Sequence, residues 1–168
     1  MAPKVAVIQS TYEQCKVKNS FDVVVDLDIT SPIRRLCDVE KAINELINNN
    51  ECDVVFSVVP ARRSPYFNMV EKRGKYYNKI CESNYTARQQ APMIYELNAS
   101  IYAYNPKLLE NQIEKTLLEY NCGIIEMPDY LVLDIDSEEE FILMEKMQEI
   151  FCERDSELKK IMDVVNNI

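Results

Sequence analysis

The sequence predicts an α/β fold with a parallel sheet, and three segments carry that prediction. FDVVVDL (21–27) and CDVVFSVVP (52–60) are short, nearly continuous apolar runs, which are typical of strands buried on both faces. A strand, a helix and a second strand at this spacing indicate a βαβ crossover. The helix between the two runs is indicated by apolar residues at helical spacing, at Val39, Ala42, Ile43, Leu46 and Ile47.

A helix is expected before the first strand and a hairpin after the second. Residues 4–16 carry apolar side chains on one helical face, at Val5, Ile8, Tyr12 and Cys15. Farther on, YFNMV (66–70) and KYYNKI (75–80) flank a turn that contains Gly74, a pattern typical of a β-hairpin. The hairpin is rich in Tyr and Phe, so it either packs against a partner chain or lies back on its own core.

The second half of the chain continues the alternation of strands and helices. YELNASIYAY (95–104) predicts a strand with Asn98, Ser100 and Tyr102 on one face. The pair 105–106, Asn-Pro, predicts the start of a helix that we expect to extend through Leu118. Later elements are predicted as strands at 122–127 and 131–134, a helix after the capping box of Ser137 and Glu140, and a last helix with Leu158, Ile161, Met162 and Val165.

Composition excludes several classes of enzyme. The 168 residues contain no histidine, so Ser-His-Asp catalysis, Cys-His catalysis and His-ligated zinc are ruled out. The two glycines, Gly74 and Gly123, are too few for a GxGxxG or P-loop motif. The six cysteines never form a CxxC pair, so we expect reduced, buried thiols.

Charge and hydropathy limit the expected partners. A net charge of -9 argues against broad binding to nucleic acid or to anionic membranes, although a local cluster of cations would suffice for a small phosphorylated substrate. No apolar run approaches the roughly 18–20 residues that span a bilayer, and the N-terminus lacks the pattern of a secretory signal. With 47% hydrophobic and 28% charged residues, the sequence predicts a cytoplasmic protein with a real core.

Two polar clusters follow predicted strands and could bind ligands. The loop 28–35 follows the first buried strand, where open α/β sheets bind their ligands; alternatively it only shapes a turn. Asp134 and Asp136 lie two residues apart on an extended chain, so both carboxylates can point toward one hard cation, for which magnesium is the best match. The alternative is that Asp136 only precedes the capping box.

Two further clusters contain arginine. Arg88 leads into the strand of Asn98 and Tyr102, a combination that can bind a carboxylate and sugar-like hydroxyls; ordinary surface polarity is the alternative. Arg62 and Arg63 follow the second buried strand, where they could bind anions, line an interface or simply face solvent.

These clusters occur together in an order that resembles one enzyme family. The similar segments are LDITSPIR (27–34), SVVPARRSPYFNMV (57–70), RQQAPMIYELNASIYAY (88–104) and LDIDSEEEF (133–141). Together they resemble the acylneuraminate cytidylyltransferases, which make CMP-sialic acid and its relatives, over about residues 1–150. The resemblance implies a Rossmann-like nucleotidyltransferase sheet with an inserted β-hairpin arm at about 62–87, through which two subunits form a homodimer.

The resemblance also implies a reaction and its site residues. In that family the anomeric hydroxyl of a nine-carbon 2-keto sugar acid, such as sialic acid, attacks the α-phosphate of CTP. Pyrophosphate leaves, and Mg²⁺ neutralises the developing charge. Asp134 and Asp136 match the catalytic, metal-binding aspartates. The substrate-binding positions implied by the resemblance are Asp28, Thr30, Ser31, Arg88, Asn98 and Tyr102.

Two departures from the family pattern create competing expectations. Asp28 stands where many members have glutamine, and its carboxylate would repel that of a sugar acid. The family's N-terminal strand and phosphate-binding loop have no counterpart here, so an incomplete domain is expected over 1–152, with a helical tail at 153–168. We expect little or no transfer by this chain alone. It would be part of a longer enzyme, a split or degenerate member that binds the sugar acid, or a non-catalytic oligomerisation subunit. The identity of the sugar acid and of the base stays open.

Overall fold

The computed structural model describes residues 4–111, 113, 115–131 and 133–165. The elements of the first half are α1 (Lys4–Cys15), β1 (Val24–Leu27), α2 (Leu36–Asn48), β2 (Val54–Pro60), β3 (Val70–Arg73) and β4 (Tyr76–Lys79). Those of the second half are β5 (Tyr95–Tyr104), α3 (Pro106–Glu110), β6 (Cys122–Glu126), α4 (Glu138–Arg154) and α5 (Ser156–Val165). The predicted alternation of strands and helices is therefore present.

The main sheet is mixed, which corrects the predicted parallel sheet. Its strand order is β1-β5-β2-β6, with β5 antiparallel to both of its neighbours and β2 parallel to β6. β1 and β2 thus run in the same direction but do not pair, because β5 lies between them. The physical reason is that β5 is the longest strand, and its second half is buried enough for the centre of the sheet.

A hydrophobic core lies on each face of the sheet. Because successive residues of a strand point to opposite sides, Val55 and Val58 of β2 enter different cores, and both are at most 1% exposed. The first core joins the sheet to α2, α4 and α5, through Leu46, Met144 and Leu158 among others. The second joins it to α1 and α3, through Tyr12, Leu108 and Leu109. Each fully buried aliphatic side chain contributes about 1.5–3 kcal/mol to this packing.

Two predicted elements of the second half are wrong. The helix that begins at Pro106 ends at Glu110, not at Leu118, because Asn111 adopts an extended conformation. Residues 112 and 114 of the predicted helix lie outside the described residues, and 117–119 form a single 3-10 turn. The predicted strand at 131–134 is absent at its described positions: Asp129–Leu131 is a 3-10 turn, Leu133 and Asp134 belong to no strand, and residue 132 is not described.

The β3–β4 pair is a separate two-stranded antiparallel sheet with Gly74 in its turn. Gly74 has φ +65°, a left-handed conformation that glycine adopts without strain. The predicted first strand at 66–70 is wrong except at its end, because the amides of residues 67–69 all donate to the carbonyl oxygen of Ser64 and form a turn. The role of this hairpin as a dimerisation arm stays a prediction.

The structure tests the expected state of the cysteines and the expected lack of a membrane-spanning segment. All six cysteines are free, but the prediction that they are buried is wrong for Cys15 and Cys122, which are exposed. Cys52 is the fully buried one, at 3% exposure. Within the described part of the chain, no helix has the length and apolar character needed to cross a membrane.

Candidate functional site

The loop after β1 folds around the carboxylate of Asp28. The Asp28 Oδ1 atom accepts hydrogen bonds from the Thr30 amide at 3.1 Å and the Thr30 hydroxyl at 2.9 Å, which is an Asx-type turn. The Asp28 amide donates to the Ser100 carbonyl oxygen of β5 at 3.1 Å. The guanidinium of Arg34 closes the loop by donating to the carbonyl oxygens of Asp28 and Ser31. The loop is thus held in one shape by its own side chains.

Lys4, at the start of α1, brings a positive charge to this loop. Its Nζ atom lies 2.7 Å from Asp28 Oδ2 and 2.8 Å from Asp26 Oδ2, and 4.7 Å from the centroid of the Tyr102 ring. The hydrogen bond from Lys4, helped by those from Thr30, lowers the pKa of Asp28 to about 2. Lys4 thus offsets part of the negative charge that was expected to repel a sugar carboxylate, because its single ammonium is shared between Asp28 and Asp26. Sequence reasoning missed Lys4, because no local pattern links it to carboxylates 22 and 24 positions later.

The segment 134–136 lies directly against the Asp28 loop. The Ile135 amide donates to the Thr30 carbonyl oxygen at 2.8 Å, and this hydrogen bond joins the two predicted clusters. Leu133 and Ile135 pack against the first core, so Asp134 and Asp136 alternate with them and are exposed. The expected alternation is thus present although the segment is not a strand.

Both aspartates are free to bind a ligand. Among the described residues, neither carboxylate has a hydrogen-bond or ion-pair partner, whereas the Asp136 amide donates to Glu140 Oε2 at 2.8 Å. The alternative interpretation, that Asp136 only precedes the capping box, thus describes its backbone amide. The side chain of Asp136 remains available for a ligand. No group of three Asp, Glu or Cys side chains suited to a metal ion occurs in the described ranges. Two free carboxylates fit Mg²⁺, which binds to one or two of them and completes its shell with water and phosphate oxygens.

The strand β5 does not present its polar residues as predicted. Asn98 accepts a hydrogen bond from the Ser57 hydroxyl at 2.5 Å and lies against Met127 of the first core. Tyr102 instead packs against Phe56 and Tyr104 of the second core. The prediction that Asn98 and Tyr102 share a face is wrong, because β5 is irregular between them: its register against β2 shifts, and Ala99 has φ +54°.

Ser31 and Ser100 lie beside the Asp28 loop and are both buried. Their hydroxyl oxygens have no hydrogen-bond partner among the described residues, although Ser31 is 1% exposed and Ser100 is fully buried. Buried hydroxyls are normally satisfied, so both oxygens keep unused hydrogen-bonding capacity at the base of the loop. Tyr102 completes the group, since it stands opposite Asp26 in the β1–β5 register. The structure thus brings the Asp28 loop next to the segment 134–136, while Tyr102 lies beside the loop through Lys4 and packs in the second core.

Apart from Arg34, the arginines of the predicted clusters are largely engaged with other groups of the chain. Arg88 is exposed and donates to the carbonyl oxygen of Ala61, beyond the carboxyl end of β2, at 2.6 Å. Arg62 pairs with Asp129. Arg35 donates two hydrogen bonds to the buried Asp38, at 2.7 and 2.8 Å. A groove of about 640 Å³ opens beside this end of β2, and its walls include Arg62, Arg63, Tyr66 and Tyr95.

Two curated proteins show extensive sequence similarity to this chain. It is 37% identical over 129 residues to post-translational flagellin modification protein B of Campylobacter coli. It is 39% identical over 129 residues to CMP-N,N'-diacetyllegionaminic acid synthase of Campylobacter jejuni subsp. jejuni serotype O:2. These matches support the cytidylyltransferase family that the sequence motifs resemble. Each match covers 76% of the chain and 53% of the relative, so this chain spans about half the length of the curated relatives it matches.

A solved structure shares the fold of this chain. The structure of CMP:2-keto-3-deoxy-manno-octonic acid synthetase complexed with CTP matches 87% of this chain and 68% of its own, with a TM-score of 0.55 and 15% identity. At that identity the match shows a shared mixed α/β fold and nothing about ligands. No family model matches the chain.

Proposed function

We propose that this chain contributes the sugar-acid side of a site that transfers CMP from CTP to a nine-carbon 2-keto sugar acid. The hydroxyl on the anomeric carbon of the acid attacks the α-phosphorus, the bond to the β-phosphate oxygen breaks, and pyrophosphate leaves. The observation that carries the proposal is the hydrogen bond between the Ile135 amide and the Thr30 carbonyl oxygen, which joins two motifs of the family into one surface. The relative from C. jejuni, named for a CMP-sugar-acid product, supports the substrate class.

The chain's own groups suit the recognition of a hydroxyl-rich acid. The exposed carboxylates of Asp134 and Asp136 accept hydrogen bonds, and the Thr30 hydroxyl and the Tyr102 ring lie on the neighbouring loop and strand. Lys4 offsets the charge of Asp28, so an incoming carboxylate meets less repulsion than the sequence suggests. The names of the curated relatives do not favour the alternative of a purely oligomerising chain.

Asp134 and Asp136 are the residues that would hold Mg²⁺. When bound, the ion would supply charge stabilisation to the phosphate oxygens of the nucleotide. The chain's contribution is to hold the two carboxylates outward on an extended segment, which the packing of Leu133 and Ile135 fixes in place.

We further propose that these residues alone transfer CMP slowly or not at all. A triphosphate needs several cations or free backbone amides. The candidate substitutes Arg34, Arg35 and Arg62 are occupied by carbonyl oxygens or carboxylates of this chain, as is Lys4. Among the arginines of the loops that follow β1 and β2, Arg63 remains, and one exposed arginine does not balance a triphosphate.

The first experiment measures pyrophosphate release from CTP and Mg²⁺ with N,N'-diacetyllegionaminic acid, which has a nine-carbon backbone, or with 2-keto-3-deoxy-manno-octonic acid, which has an eight-carbon backbone. We expect no release above background from this chain. We expect release from a fusion with the part of the C. jejuni relative that lies outside the match, and only with the nine-carbon acid. Pyrophosphate release by the chain alone would overturn the proposal that it is inactive. Equal rates of release by the fusion with the two acids would overturn the assignment of a nine-carbon substrate.

The metal assignment is tested with Asp136→Asn, and Glu145→Gln, an exposed carboxylate on α4, is the matched control. In the fusion we expect Asp136→Asn to lower turnover at least about 100-fold and the control to leave it within about twofold. In the chain alone, Mn²⁺ should broaden the amide signals of 134–136, and Asp136→Asn should abolish that broadening. Unchanged broadening and turnover in Asp136→Asn would refute the assignment.

We also propose a homodimer formed through the β3–β4 hairpin. Its exposed aromatic side chains support this, because Tyr76 is 76% and Tyr77 is 67% exposed, beside Val70 at 59%. Light scattering after size-exclusion chromatography should give twice the chain mass for the wild type. The double substitution Tyr76→Ser and Tyr77→Ser should shift the mass toward the monomer. A monodisperse wild-type monomer would contradict the proposal.

A further inference from the structure

The strand β5 contains a large bulge opposite Ser57 of β2. Phe56 pairs with Tyr102 and Val58 pairs with Leu97, so the single residue Ser57 stands opposite residues 98–101. Ala99 within the bulge has φ +54°, and no other described non-glycine residue has a positive φ. Backbone in this region is strained for alanine and persists only where its surroundings hold it.

The hydroxyl of Ser57 spans the bulge. It donates to Asn98 Oδ1 at 2.5 Å and accepts from the Ile101 amide at 2.9 Å, so it bonds to both ends of the bulged segment. Ser57 is 1% exposed and is the one polar residue within Val54–Val59 of the otherwise apolar β2. A hydroxyl in such a setting has no packing advantage over alanine or valine, so its hydrogen bonds are the physical reason for it.

The bulge is joined to the candidate site by a backbone hydrogen bond and by strand pairing. The Ser100 carbonyl oxygen, inside the bulge, accepts the hydrogen bond from the Asp28 amide at 3.1 Å. At the end of the bulge, Ile101 pairs with Leu27, and the next residue, Tyr102, pairs with Asp26 and lies with its ring beneath Lys4. Bulges commonly re-aim side chains next to active sites. A change at Ser57 would act first on Ile101, whose amide bonds to the Ser57 hydroxyl. It would therefore reach the Asp28 loop through Ser100 and Tyr102, the covalent neighbours of Ile101.

We infer that Ser57 is a positioning residue for the sugar-acid site: by closing the β5 bulge from within the core, it fixes where Ser100 and Tyr102 hold the Asp28 loop. Ser57 contacts neither the loop nor any proposed ligand group and acts through β5. This inference rests on the proposed function for its ligand, while its effect on the loop is independent of any ligand.

The test compares Ser57→Ala with Val55→Ala, which removes more buried volume from the same strand and face without touching the bulge. Without ligand, we expect Ser57→Ala to speed hydrogen exchange of the Ile101 and Asp28 amides at least about tenfold relative to Val55→Ala. With N,N'-diacetyllegionaminic acid, we expect the Kd to rise about tenfold in Ser57→Ala and to stay within about twofold in Val55→Ala. Ser57→Thr, which keeps the hydroxyl, should restore most of the affinity.

The outcomes separate this inference from the proposed function. Equal exchange at Ile101 and Asp28 in both alanine variants would overturn the role of Ser57, whether or not the acid binds. An equal loss of affinity in the two variants would also overturn it, because a general loss of stability would then explain the effect. Failure of the wild type to bind the acid, with the exchange difference intact, would instead refute the proposed function and leave Ser57 as the residue that holds the Asp28 loop.

Discussion

Lys4 is expected to stabilise the fold through its ion pairs at the candidate site, and Lys4→Met removes them. Its ammonium pairs with Asp26 and Asp28, whose side chains are each 21% exposed, and lies over the Tyr102 ring. After the substitution, the two carboxylates lose the ammonium that bridges them. Methionine keeps most of the apolar stem, so the loss is one of charge rather than packing.

The size of the effect follows from the pKa of Asp28. Because the folded protein lowers this pKa from 3.8 to about 2, the linked free energy is at most about 2.4 kcal/mol. The Thr30 hydrogen bonds account for part of it, and Lys4 is 44% exposed on its side chain, so solvent screens the pair. We therefore expect Lys4→Met to lower the free energy of unfolding by about 1 kcal/mol at pH 7.

The pH dependence gives a sharper test than the magnitude. A carboxylate with a lowered pKa stabilises the folded state above its unfolded pKa, near 4, and this stabilisation is lost as the pH falls from about 4 toward 2. The difference in the free energy of unfolding between wild type and Lys4→Met should thus be constant from pH 7 to 5 and become smaller below pH 4. Urea titrations at pH 7, 5 and 3.5 measure it.

The control for this prediction lies on the same helix. Lys16 pairs with Glu13 on the surface and lies 5.4 Å from the Tyr12 ring, so Lys16→Met removes a comparable contact away from the site. We expect Lys16→Met to change the free energy of unfolding little at pH 7. Its difference from wild type should be no smaller at low pH. The reasoning would be refuted if Lys4→Met were as stable as wild type at pH 7, or if its deficit persisted unchanged at pH 3.5.

Two further substitutions test the packing that supports the site. In Gly123→Ala the new Cβ would lie 3.0 Å from Val55 Cγ2 and 3.1 Å from Cys52 Sγ, both buried, so thermal unfolding should show a loss of about 1–3 kcal/mol; a variant with wild-type stability would contradict this packing. Leu158→Ala empties a site that is 4% exposed in the first core, so urea unfolding should show a loss of about 2–5 kcal/mol. The matched substitution Val164→Ala, on the exposed side of α5, should cost far less, and equal losses would mean that α5 does not pack as described.

Local sequence patterns were sufficient to predict α2, the start of α4 and β2. The amphipathic spacing of Val39 to Ile47 predicted α2, and the capping box of Ser137 and Glu140 predicted the start of α4, where the Ser137 hydroxyl accepts from the Glu140 amide. The apolar run of β2 predicted a strand buried on both faces. Each of these signals lies within one element, so no long-range contact could override it.

Several features that sequence reasoning missed at the site depend on contacts between distant segments. The position of β5 between β1 and β2 cannot be read from its own alternation, because central antiparallel and parallel strands have similar patterns. The bulge that separates Asn98 from Tyr102 is held by Ser57, 41 positions before Asn98. Lys4 reaches Asp28 across 24 positions. The motifs predicted which loops belong to the site, and the structure was needed to show which side chains meet there.

The central claim is that the loop 28–31 and the segment 134–136 form one binding surface for a sugar acid. The most direct measurement is a titration of the 15N-labelled chain with N,N'-diacetyllegionaminic acid, followed by the amide signals of both segments. The account predicts that the signals of Thr30, Ser31 and Asp136 shift together with a single Kd. Shifts confined to the groove beside Arg62 and Arg63, or an absence of shifts in either segment at saturation, would contradict it.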